Sequence, residues 1–88
     1  VLNGNPSLAD IDLPSDIDGR VDFWTSHRQY TLLNHRADVW YLFCLEKSTP
    51  QMTHTLDVRG SEWVASPIDR GRNVHAPDWR DALRRVVV

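Results

Sequence analysis

Asp38-Val39-Trp40-Tyr41-Leu42-Phe43-Cys44-Leu45-Glu46 is the stretch on which the fold turns: an unbroken apolar, aromatic and β-branched run, closed at each end by a carboxylate. Side chains of this kind suit a pleated surface, and the run has a strand's length rather than a helix's. Because it lacks polar alternation, it predicts a central strand with both faces covered, by a helix and another layer. On its N-terminal side, Arg20 to Thr25 alternates well enough for a short strand, with Val21 and Phe23 pointing one way and Asp22 and Trp24 the other. Between these strands Ser26 can cap a helix whose stripe is Tyr30, Leu33 and Ala37, leaving Arg28, Gln29 and Arg36 nearer solvent. On the C-terminal side, Lys47 to Pro50 predicts a turn, followed by strands Met52 to Leu56 and Glu62 to Ser66 around the polar turn Asp57 to Ser61. Residues Pro67 to Pro77 read as a loop, and Pro77-Asp78-Trp79-Arg80 opens a terminal helix containing Trp79, Leu83 and Val86 or Val87.

The first nineteen residues are rich in turn formers and read as an irregular arm, residues 20–88 as a single compact domain. The expected class is α/β or α+β: a compact mixed-sheet layer with a central apolar strand and packing helices. Within it, the β-α-β portion would pair its strands in parallel through a right-handed crossover. A chain of 88 residues with 41% hydrophobic and 25% charged residues fits one ordinary globular core. No apolar run approaches the roughly 20 residues of a membrane-spanning helix, so no transmembrane insertion is expected. Cys44 is the only cysteine and lies inside the apolar run, which predicts a buried thiol and favours a reducing, intracellular setting, the cytoplasm.

Ten basic against twelve acidic residues give a net charge of −2, which argues against strong nonspecific attraction to a polyanion. The charges are unevenly spread. Asp10, Asp12, Asp16 and Asp18 crowd the start, without the glycine and distal glutamate of an EF-hand. His27 and His35 lack the further ligands of a zinc site, and Ser26, His27 and Asp38 lack a glycine-rich nucleophile turn, so no catalytic residue is assigned. Arg70, Arg72, Arg80, Arg84 and Arg85 collect near the end, where Arg80 and Arg84 share a helix face. Trp79, Arg80, Arg84 and Arg85, joined by Arg70 and Arg72, form the candidate interaction face, because aromatic area and directed Arg hydrogen bonds dominate protein interfaces. The leading expectation is a small noncatalytic protein-interaction or structural module, a fragment or subunit of a larger assembly, with a protein partner and no cofactor.

Asp18-Gly19-Arg20-Val21-Asp22-Phe23-Trp24 and His35-Arg36-Ala37-Asp38-Val39-Trp40-Tyr41-Leu42-Phe43, with the helix-like segment between them, resemble the later core of restriction-endonuclease-like proteins. In that superfamily an acidic catalytic strand leads through a helix to an apolar strand, and the resemblance covers roughly residues 18–66. It implies Asp18 and Asp22 as ligands for Mg2+, with Arg28 facing the phosphate of a nucleic acid. The superfamily's acidic-variable-lysine arrangement would place Lys two positions after Asp22, where this chain has Trp24. The implied alternative is therefore a partial or degenerate Mg-dependent nuclease-like domain.

Overall fold

The strand expected at the centre lies within a single antiparallel sheet. The computed structural model describes residues 6–87. Its strands are β1 (Arg20–Trp24), β2 (Gln29–Arg36), β3 (Val39–Glu46), β4 (Thr49–Arg59), β5 (Glu62–Pro67) and β6 (Val74–Ala76), followed by the helix α1 (Trp79–Arg84). The six strands lie in the order β1-β2-β3-β4-β5-β6, each antiparallel to its neighbours. With a short helix on one face, the class is α+β.

The helix expected from Ser26 is instead β2. Tyr30, Leu32 and Asn34 point to the core at a period of two, and Leu32 is fully buried. Once that segment is a strand, β1, β2 and β3 join by short hairpins and the parallel crossover disappears. The loop expected before α1 also contains the edge strand β6. The turn after β3 contracts to Lys47 and Ser48, both at positive φ (51° and 67°), the conformation that closes a two-residue hairpin. Likewise, the turn between β4 and β5 shrinks to Gly60-Ser61, where Gly60 supplies φ 65°.

The core lies on one face of the sheet. Phe23, Tyr30, Leu32, Trp40, Leu42, Cys44, Leu56, Ala65 and Ala76 contribute from the strands, and Trp79, Ala82 and Leu83 from α1. Asp78 caps that helix by accepting from the Arg80 backbone N–H at 3.2 Å. The rest of the cover comes from the N-terminal arm, whose residues 1–5 lie outside the described residues. A short 3₁₀ turn, Leu8–Asp10, presents Leu8, and the following chain presents Ile11; both are buried. Trp40 Nε1 donates to the Pro14 carbonyl at 2.7 Å, and Trp24 N–H to the Pro6 carbonyl at 2.8 Å. Gly19 closes the arm against β2: its N–H bonds Asp16 O, while its own carbonyl accepts from Asn34 N–H. A Cβ there would stand 2.9 Å from Asp16 O, so the turn requires glycine. Arg80 joins arm to helix, lying 4.6 Å over the Trp79 ring and donating to the Ile11 carbonyl. Among the described residues, no helix is long and apolar enough to cross a membrane.

Candidate interaction site

Arm and helix both lie on the same face of the sheet, and the opposite face is left open over β1, β2 and β3. The expectation that β3 is covered on both sides is therefore corrected: Trp40, Leu42 and Cys44 are buried, but Val39, Tyr41, Phe43 and Leu45 remain partly exposed. The registers assemble the open face into four rows across the strands: Trp24, Gln29, Leu45 and Pro50; then Asp22, Thr31, Phe43 and Met52; then Arg20, Leu33, Tyr41, Thr55 and Ser66; and finally Val39, Asp57, Val64 and His75. Val64 is fully buried at the far end. Nearer β1, the middle of this face is an apolar floor made by Leu33, Phe43 and Leu45.

Met52 reaches this floor because of a bulge. Leu42 pairs with His54 and Phe43 with Met52, so Thr53 is an extra residue in β4. Strict alternation from the buried Leu56 would turn Met52 toward the core; the inserted residue turns it to the open face beside Phe43. The bulge is held by the Thr53 carbonyl accepting from Ile68 N–H at 3.0 Å. His54 stays on the core side, where burial lowers its pKa below the ordinary value and Asp69 opposes that shift.

An open depression of ≈ 350 Å³ occupies the floor between Leu33, Phe43, Leu45 and Pro50 and the polar rim of Arg20, Asp22, Gln29 and Thr31. The rim is ordered by Thr31 Oγ1 donating to Asp22 Oδ1 at 2.7 Å. At the opposite end, His35 stacks on Tyr41 with ring centroids 4.5 Å apart. Aromatic area with a polar border is the composition of an interface centre and its rim.

The residues singled out near the C terminus do not form one accessible face. Trp79 is 9% exposed and belongs to the core, and Arg80 is engaged with it and with the arm. Arg84 pairs with Asp81 at 2.8 Å, and Arg85 donates to the His75 carbonyl at 3.1 Å. Arg70 and Arg72 are exposed in the connection between β5 and β6. The nuclease-like set is dispersed as well. Asp18 is exposed in the turn before β1, Asp22 faces the open side, and Arg28 turns to the other side, donating to Cys44 Sγ at 3.7 Å. The segment that the resemblance requires as a helix is β2. Among the described residues, no three His, Cys, Asp or Glu side chains converge as a metal-ligand group.

Sequence reasoning did not single out Leu33, Tyr41, Phe43, Leu45 and Met52 as a surface. With residues 29–36 read as a helix, the sequence offers cover for both faces, and only the observed strand β2 leaves this one without it among the described residues. No protein-family description, characterised protein or solved structure matches this chain.

Proposed function

We propose that the chain is a noncatalytic protein-interaction module, a subunit of a larger assembly, and that it binds through the open face of its sheet. The observation that carries this reading is the partly exposed floor of Leu33, Tyr41, Phe43, Leu45 and Met52 on a sheet whose other face is already covered. Antiparallel sheets with one solvated face ordinarily place polar residues there. Here aromatic and aliphatic side chains occupy the middle rows, and burying them against a protein would release about 25 cal/mol per Å² of apolar surface. An intracellular, cytoplasmic setting fits the buried and unpaired Cys44.

Native mass spectrometry of the complex recovered from the source, with wild type and Phe43→Glu in parallel, tests the reading. The expected result is a stoichiometric protein bound to wild type and lost from the variant, with circular dichroism unchanged because Phe43 faces outward. Recovery of wild type with neither a bound protein nor self-association on concentration, or retention of the bound protein by Phe43→Glu, would overturn it.

A further inference from the structure

The open face carries both signs of charge along one edge, and their spacing has a symmetry. Arg20 and Asp22 are two residues apart in β1, on the same face and in adjacent rows. Asp22 uses Oδ1 to accept from Thr31, leaving its second oxygen, and Arg20 makes no ion pair among the described residues. A uniformly acidic or basic partner would meet one favourable and one unfavourable charge here.

A two-fold axis lying in the interface, crossing the strands midway between these two rows, removes the conflict. It brings Arg20 opposite Asp22 of the second copy and Asp22 opposite its Arg20. The same operation puts Tyr41 against Phe43 and Val39 against Leu45 along β3, Leu33 against Thr31 on β2, and Thr55 against Met52 and Asp57 against Pro50 on β4, so Arg20 and Asp22 meet opposite charge and apolar residues meet along β3. This is the self-complementarity that an isologous dimer demands. Two twisted sheets stacked in this way keep their strands within ~30° of each other. Resting on the open face being the binding surface, we infer that its occupant is a second copy of this chain, packed face to face with the Arg20 and Asp22 pairs reciprocated.

The area is that of a weak interface: the rows at ~6.8 Å over β1 to β4 at ~4.8 Å, with β1 absent from the last row, span about 450 Å², so two copies contribute about 900 Å², just under the size of a stable specific interface. An interface of that size predicts a dimer that dissociates on dilution.

Sedimentation and native mass spectrometry on the full chain test the pairing. Wild type is expected to dimerise at about 200 µM and to dissociate on dilution, while Phe43→Glu stays monomeric. Arg20→Asp alone sets Asp against Asp, and Asp22→Arg alone sets Arg against Arg, so each single variant should weaken its own dimer by about tenfold or more. Mixed one to one, the two variants should form a mixed dimer in which both pairs are restored. A monomeric wild type at about 200 µM, a dimer indifferent to Phe43→Glu, or single variants that do not prefer each other would overturn the two-fold pairing. If wild type is monomeric yet a different protein is held by wild type and lost from Phe43→Glu, only the second copy is refuted and the open-face reading survives. If neither self-association nor a recovered partner depends on Phe43, both are refuted.

Discussion

The two sides of β3 are equally apolar in composition, yet Trp40, Leu42 and Cys44 are 6%, 0% and 3% exposed while Val39, Tyr41, Phe43 and Leu45 remain partly open. What separates them lies elsewhere in the chain. The ring of Trp40 is tied to the arm through Pro14, and α1 covers the same face farther along, at β5 and β6. Burial of a strand's face is thus decided by the number and placement of covering elements, and a second apolar face without cover becomes a surface available to a partner.

The largest expected effect comes from testing that contrast directly. Leu42→Ala should lower the unfolding free energy by about 3 kcal/mol, through lost transfer energy and a residual cavity. Phe43→Ala, measured in dilute solution where the chain is monomeric, should cost about 1 kcal/mol or less, because its ring is still in contact with water. Equal losses in urea titrations would mean that both faces are buried and would break the comparison. A smaller effect should sharpen it. Trp40→Phe keeps most of the buried ring but removes the hydrogen bond to the Pro14 carbonyl, at about 1–2 kcal/mol, and amide exchange at Asp10 should accelerate as the arm loosens. Unchanged exchange would show that the arm is held without Trp40.

Next in size, Asp78→Ala should destabilise by about 1 kcal/mol by uncapping α1. Thermal unfolding would register the loss, and no shift would mean that burial of Trp79, Ala82 and Leu83 alone holds the helix. The smallest effect concerns pH. Burial holds His54 below its ordinary value of 6.5, with Asp69 opposing that shift. The unfolded imidazole therefore takes up its proton first. Its contribution to stability is undiminished above 6.5 and falls as pH drops through 6.5 toward the lower folded value. His54→Gln should flatten the pH dependence of the denaturation midpoint in that window, and an unchanged slope would assign the dependence to other groups.

Much of the fold was legible. β1 alternates, β3 is an apolar run, the hairpin of β4 and β5 carries its own turn, and α1 announces itself through Asp78 and the preceding proline. The segment that misled was β2, for two physical reasons. Leu32 and Leu33 are adjacent, so one fills the core and the other the open face, and Leu33 fits a helical stripe with Tyr30 and Ala37. In addition, a polar residue occupies a core position. Asn34 is 2% exposed and its backbone holds the arm through Gly19 and Asp18, a role that only the tertiary structure explains. The proposed interaction surface was less legible than the fold. Trp79 looked like an anchor because its aromatic area is the same in a core and at an interface. The floor around Phe43 looked like core because its exposure depends on elements distant in sequence.

All five strand pairings join sequence neighbours, so the sheet can assemble by successive closure of short hairpins. The clasp of Arg80 on the Ile11 carbonyl has a different character, because its partners are 69 residues apart. It can close only after the strands between them are in place, and it makes the two ends of the described chain hostages to each other. A protease that severs the arm near Ile11 would thus strip part of the cover from the core face while α1 stays seated on β5 and β6, leaving apolar surface around Trp40 prone to stick wherever it first touches.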